Sequence, residues 1–269
     1  MHSFKGKGIN SVRCLKMNMR CSILFVLLLA SLVYVASPAV AVVPDSMSSV
    51  VIQKRRIVLV RTGKIAREFP EKKRAVVSYP VIKGPMNSAV LRKVRSMLEI
   101  KNIFGTSLAE YRSDAWLTEF DYKVNYNRDY ILDITFRQDG VGAYPDSSSK
   151  HFAINLKDGS LIRAKDVFNP SALATLTNLV DRKLQAEIQQ TIKDNPDDRE
   201  SAVSLLKDLK YKRSNLDDFS ISDKGLTFLY DAGFPHVVQA LQPVGEYFFS
   251  YEELKPYIKR EGLLGTFIR

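Results

Sequence analysis

The chain has 269 residues and a formal net charge of +11, from 40 Lys and Arg against 29 Asp and Glu. Its only cysteines, Cys14 and Cys21, lie in a leader-like N-terminal stretch. Cleavage of that leader would exclude structural disulfides, thiolate metal sites and cysteine nucleophiles from the mature chain.

An uncharged apolar run from Cys21 to Pro44 follows five basic residues (Lys5, Lys7, Arg13, Lys16, Arg20) and contains Ala39-Val40-Ala41 near its end. That is the order of a secretory signal, with cleavage expected after Ala41. The alternative is a retained anchor, because the 24 uncharged residues 21–44 exceed the roughly 20 a bilayer requires. Either way residues 45 onward are expected outside the cytoplasm, periplasmic or extracellular, with membrane contact only through such an anchor. Removing residues 1–41 leaves 228 residues with 35 basic against 29 acidic side chains. That length suffices for a core without disulfides. Residues 42–49 read as a tether, and 50–269 as one α+β domain or two interlocked subdomains, 50–168 and 169–269.

Nine basic residues lie between Lys54 and Arg74, against Glu68 and Glu71. Lys54, Arg55, Arg56, Lys72, Lys73 and Arg74 are candidate contacts to an anionic envelope surface. The alternative is the solvated face of two strands, Ile52 to Val60 and Arg74 to Val81. Nucleic acid is excluded as a partner by export and by the absence of interleaved aromatics.

Strand composition begins at Val50 and resumes after the Thr62-Gly63 turn, with Ala75 to Ile82 ending at Gly84-Pro85. Val90, Leu91, Val94, Met97 and Leu98 then recur at helical spacing, predicting an amphipathic helix over Asn87 to Lys101. Phe120, Tyr122, Val124 and Tyr126 alternate with polar residues, Asn127-Arg128-Asp129 turns the chain, and Tyr130, Leu132, Ile134 and Phe136 return. A third strand is expected over Lys150 to Leu156, before the Lys157-Asp158-Gly159 turn. Asn169-Pro170 predicts a helix start with Asn169 as cap, and an apolar stripe from Leu173 to Ile192 runs to the stop at Asn195-Pro196. A second helix spans Asp197 to Leu209. Strands follow at Phe219 to Ser222, Leu226 to Tyr230 and Glu246 to Phe249, and Ser250-x-x-Glu253 is a capping box. The fold class is α+β, an antiparallel β-sheet with amphipathic helices packed on one face.

No catalytic residue, metal site or cofactor is assigned. His151 and His236 lack zinc-ligand spacing and read as surface or strand-end histidines. Asp146, Ser147 to Ser149 and His151 crowd the residue types of a hydrolytic triad into one segment, but a triad is aimed from separate elements. Asp194 with Asp197-Asp198, and Asp217-Asp218, offer acid/base pairs, a calcium site or solvated turns. Gly140-Val141-Gly142 lacks the third glycine and the helix of a dinucleotide loop. The connection Asp231 to Gln242 is long and carries Phe234, Pro235, His236 and Gln239, which marks a binding loop or a cap on the core. Candidate ligand contacts are Tyr144, His151, Phe234, His236, Gln239 and Tyr247.

Tyr79-Pro80-x-Ile82-x-Gly84, the block Gly142-Ala143-Tyr144-Pro145 through Phe152 and Asp158-Gly159 to Asp166-Val167-Phe168, and the ending Phe249-x-Tyr251-x-x-Leu254-x-x-Tyr257 together carry a resemblance. From about Ala75 onward the chain resembles the extracytoplasmic module of RsiV-type anti-sigma factors and the accessory domain of PdaC-type peptidoglycan deacetylases. The resemblance implies an exported α+β domain, which recognises host lysozyme in one branch and sits beside an enzyme in the other. With no deacetylase domain after Arg269 and a short basic leader, neither whole-protein function is expected to transfer, and a basic surface disfavours cationic lysozyme. The expected function is non-enzymatic binding at the bacterial cell envelope, of peptidoglycan, anionic lipid or an exported protein. The alternative is a wall-glycan hydrolase or lyase using carboxylates brought together by folding. A shallow aromatic or polar face near Phe234 to Gln242 points to the first, a deep cleft with convergent carboxylates to the second.

Overall fold

Alternating apolar positions build two sheets among the described residues. The structure, a computed structural model, describes residues 48–269; the expected leader and nearly all of the expected tether lie outside them. Among the described residues no helix is long and apolar enough to cross a membrane. The first sheet has six strands in sequence order: β1 (Val51–Val60), β2 (Arg74–Lys83), β3 (Leu117–Arg128), β4 (Ile131–Val141), β5 (Pro145–Asn155) and β6 (Ser160–Leu161). The second is a three-stranded antiparallel meander of β7 (Phe219–Ile221), β8 (Gly225–Leu229) and β9 (Glu246–Ser250). The class is α+β, with one departure from an all-antiparallel sheet. β2 and β3 pair in parallel, over only Val76↔Glu119 and Val77↔Phe120. Parallel neighbours require a long crossover, and residues 84–116 provide it in three short helices.

The helices are α1 (Gly63–Glu68), α2 (Ser88–Met97), α3 (Ile100–Phe104), α4 (Leu108–Ser113), α5 (Ala164–Val167), α6 (Leu173–Asp194), α7 (Arg199–Leu206) and α8 (Tyr251–Leu254). The helix expected over Asn87 to Lys101 breaks after Leu98, because Glu99 is extended (φ −65, ψ 136). The break turns Ile100 and Ile103 into the core. Asn87 caps α2 by accepting from the Ala89 amide at 2.8 Å. Asn169 does not cap as expected; Pro170–Ala172 first forms a 3₁₀ turn and the Asn169 side-chain amide donates to the Ile258 carbonyl instead. The Ser250–Glu253 capping box is present and starts α8.

The hairpin turn lies one step later than its sequence suggests. Asp129 (φ 54) and Tyr130 (φ 60) both adopt left-handed backbone, the requirement of a two-residue turn between twisted strands. Non-glycine residues hold it because the Asp129 carboxylate accepts the Tyr126 hydroxyl and the Tyr130 backbone bonds both Ser48 and Leu156. Gly140 is required for space: a Cβ there would fall 2.4 Å from the Trp116 ring, which lies over the strand. The Gly140-Val141-Gly142 run is thus a strand end packed under tryptophan.

The two faces of the large sheet have different fates. Phe120, Leu132, Ile134, Phe136 and Ile154 share a core with Leu91, Val94, Ile103 and Tyr111 of the crossover helices. On the opposite face Tyr126, Ile131 and Ala153 join a second core with Leu176, Val180 and Leu184 of α6 and Phe219, Phe228 and Phe249 of the small sheet. Beyond that contact the second face turns polar, with Asp133, Thr135 and Arg137 on β4 and His151, Ser149 and Ser147 on β5. The two cores lie on opposite faces of the large sheet.

Candidate functional site

Strand alternation aims every second residue of β3, β4 and β5 at one side, and the small sheet stands only partly over it. A groove of about 1440 Å³ opens between them. Its walls carry Asp121, Lys123, Asn125, Arg137, Ser147 and Ser149 from the large sheet. Across the groove lie Asp217, Asp218, Ser220, Thr227, Asp231, Gln239, Gln242 and Glu246. Four cations (Lys123, Arg137, Lys150, Arg163) line it with six carboxylates (Asp121, Asp146, Asp217, Asp218, Asp231, Glu246). Charge of both signs suits a polar ligand of mixed charge rather than a polyanion.

At one end of the groove Asp133 is fully buried and accepts four hydrogen bonds. Asn125 Nδ2 and Ser220 Oγ donate to Oδ1 at 2.8 and 3.1 Å, and the Ile221 amide and His151 Nε2 donate to Oδ2 at 2.7 and 3.1 Å. Because a carboxylate only accepts, Nε2 carries a hydrogen, and Nδ1 pairs with the Thr135 hydroxyl at 3.1 Å. Thr135 in turn accepts from Asn125 Nδ2 at 2.8 Å. The four side chains close a ring, and two of the bonds that Asp133 accepts anchor β7 to β4. Thr135, His151 and Asp133 stand in the order of a hydrolytic triad, but the carboxylate also holds the Ile221 backbone. The arrangement is a clamp between sheets.

His151 therefore is not the surface histidine its sequence context suggests: its side chain is 6% exposed, mid-strand and paired with Asp133. Asp146 and the serines beside it are not its partners. Tyr144 and His236, 92 positions apart, come together as a stacked pair with ring centroids 5.1 Å apart, and His236 Nε2 donates to the Pro145 carbonyl at 2.9 Å. This pair ties the β4–β5 tip to the 3₁₀ turn His236–Leu241 at the groove's edge. Phe234 and Gln239 line the groove as well, and Phe234 also packs on the second core. Gly245 closes this loop: at φ 70 its carbonyl accepts from the Tyr230 amide, and a Cβ would lie 1.9 Å from the Tyr230 carbonyl oxygen. Tyr247 is placed elsewhere, 4% exposed with its hydroxyl donating to Glu187 at 2.7 Å. Burial and that carboxylate push its phenol up.

The basic residues do not form one strip. Alternation along β1 sends Lys54 and Arg56 to one side and Arg55 to the other. Lys54 pairs with Asp121 at 2.8 Å, Arg55 lies over the Tyr79 ring, and Lys72 donates to the Val141 carbonyl at 2.7 Å. Arg61, counted in the same run, is buried. Arg56, Lys73 and Arg74 are exposed.

Asp218, read in the sequence as one of the Asp217-Asp218 pair, is brought into the groove by folding. Its residue is open to groove water yet walled by protein, and that partial desolvation pushes its carboxyl up, opposed by His151, Lys150 and Arg163 and reinforced by Asp231. A carboxyl raised in the folded state is most favourable while protonated, below the unfolded value of about 3.9. The contribution is lost as pH rises through the folded value. Asp218→Asn is therefore expected to raise the melting temperature at pH 7, with the gain vanishing near pH 3. Thermal melts of both proteins across that range check it; an equal or lower melting temperature at pH 7 would contradict it. Among the described residues no group of three or more His, Cys, Asp or Glu converges as a metal-ion set would.

No protein-family model and no curated protein matches the sequence. Solved structures do. A DUF3298-family protein from Bacteroides fragilis NCTC 9343 superposes on 83% of this chain and 98% of its own, with a TM-score of 0.51 at 15% identity. The two chains share a fold. A DUF3298-family protein from Pseudomonas aeruginosa PAO1 covers 79% of this chain and 94% of its own, with a TM-score of 0.47 at 13% identity.

Proposed function

We propose that this protein is an exported, non-enzymatic binding domain of the bacterial cell envelope, and that the groove between its two sheets takes a segment of peptidoglycan. The observation that carries the proposal is the lining: hydroxyl, amide and charged groups of both signs in a groove of about 1440 Å³, edged by the stacked Tyr144–His236 pair. Amino-sugar chains bearing peptides present hydroxyls, acetamido groups, carboxylates and amines, and such a lining matches each. An exposed aromatic pair gives a sugar ring a flat apolar face. The leader-like N-terminus and the resemblance to RsiV-type and PdaC-type extracytoplasmic modules support the envelope setting. Arg56, Lys73 and Arg74 remain available for a weaker, salt-screened attraction to anionic surfaces.

Tyr144 is 65% exposed, so Tyr144→Ala is expected to leave the melting curve unchanged. Its retention on insoluble peptidoglycan is expected to fall roughly tenfold, the loss of one aromatic contact of about 1.4 kcal/mol. Unchanged retention, or no retention of the wild type, would reject the groove as the binding site.

The second reading, wall-glycan hydrolysis, is favoured by one observation, the raised Asp218 carboxyl in the same groove. Release of soluble fragments from the same peptidoglycan, lost in Asp218→Asn, would establish it in place of the first.

A further inference from the structure

A second concave site lies on the helical side of the large sheet, with a lining that shares no residue with that of the groove. It follows from the brief pairing of β2 with β3. After Val77 the two strands part, and the stretch Tyr79 to Ile82 keeps β1 on one side but has no strand on the other. Pro80 is tolerated there because its nitrogen needs no partner on an open edge. The gap is bounded by Leu98, Ile100 and Leu108 of the crossover helices and forms a pocket of about 420 Å³. That volume falls in the range of about 300–1,000 Å³ occupied by small-molecule sites.

The pocket is apolar within and cationic at its mouth. Arg95 Nε donates to the Ile82 carbonyl at 2.7 Å, which fixes the guanidinium over the open strand edge. Its two terminal nitrogens make no further hydrogen bond among the described residues. A fixed, planar fork with free donors is suited to bidentate recognition of a carboxylate or phosphate. Lys101 and Glu99 also line the mouth and pair with each other at 3.5 Å, so their charges offset and Arg95 sets the sign.

We propose that this pocket binds a single-chain amphiphile with an anionic head, its alkyl chain lying on Leu98, Ile100 and Leu108 and its head on Arg95. Charge selects the occupant: an apolar slot alone would accept any alkyl chain, whereas the guanidinium favours an anionic head and repels a cationic one of equal length. The site is independent of the groove and of the binding proposed there.

Titration calorimetry with dodecanoate, dodecyl phosphate and dodecyltrimethylammonium, each kept below its micelle concentration, tests the assignment. The expected result is saturation at one equivalent by both anions and at least tenfold weaker binding of the cation. Arg95→Glu is expected to reverse that preference. Leu108→Glu, which places charge at a half-buried wall position, is expected to abolish binding of all three and serves if the Arg95 variant is poorly folded. Co-sedimentation with phosphatidylglycerol vesicles separates the sources: association lost in Leu108→Glu assigns a bilayer lipid, and association unchanged assigns a free amphiphile. Equal binding of anionic and cationic chains, no saturable binding, or full affinity in both variants would overturn the proposal.

Discussion

Replacing Arg61 with alanine is expected to destabilise the protein by about 3–5 kcal/mol, although the residue sits in a run of solvent-facing basic residues. It is 1% exposed and forms no ion pair among the described residues. Four backbone carbonyls compensate for its burial: Nε donates to Asp114 at 2.7 Å, Nη1 to Lys72 at 2.6 Å, and Nη2 to Tyr111 at 3.1 Å and Leu117 at 2.7 Å. Burial lowers the pKa of the guanidinium, and the nearby Asp114 carboxylate partly opposes that shift. These bonds join the end of β1 to the loop before β2 and to the chain between α4 and β3. Alanine leaves the carbonyls without donors, each unsatisfied buried group costing about 1–3 kcal/mol before water or relaxation relieves it. Urea unfolding should show a lower midpoint at unchanged slope, and the melting temperature should fall by about 10 °C. Arg61→Lys should recover little, because an ammonium cannot address four carbonyls from one planar fork. A variant within about 1 kcal/mol of wild type would show that the cluster relaxes at little cost.

Arg61 also marks the limit of what local sequence reveals. Nothing in Lys54 to Arg74 separates it from its neighbours except that it lies two positions after Leu59, on the inward side of a strand that ends one residue earlier. The hairpin of β3 and β4, the long helix α6 and the small meander were legible because each is set by local period or by caps such as Ser250 and Glu253. Helix α4 was not anticipated, although Ser107-x-x-Glu110 is the same capping signal and both of its bonds form; the short helix behind it gives little periodicity to draw attention. The parallel pairing of β2 with β3 depends on how a 33-residue crossover folds back, which no local pattern fixes. Tyr247 stands in the run Tyr247-Phe248-Phe249, where three consecutive aromatics conceal the parity; β9 buries the first and third and exposes Phe248. Asp133 passed unremarked in the sequence, an acid between Leu132 and Ile134 in an apolar strand, because its partners His151 and Ser220 lie 18 and 87 positions away.

That buried acid supports the second large effect. Asp133→Ala is expected to cost about 3–5 kcal/mol, as breaking a buried charged network does. It strands the buried Ile221 amide and leaves His151 Nε2 and the Ser220 hydroxyl without their acceptor. Asp133→Asn should also be costly, because each carboxylate oxygen accepts two donors and an amide nitrogen in place of either turns donor against donor. Denaturant unfolding of Asp133→Ala, His151→Ala and the double variant checks the ring directly. Residues of one closed network are expected to couple by at least about 1 kcal/mol, so the double variant should lose less than the two single losses combined. The same series separates a clamp from a triad. An orienting carboxylate in a catalytic triad can be removed with the fold intact and turnover lost, whereas a clamp between β4 and β7 loses stability first and takes the groove with it. Additive losses, or an Asp133→Ala protein as stable as wild type, would refute the clamp and return the Thr135–His151–Asp133 order to consideration as chemistry.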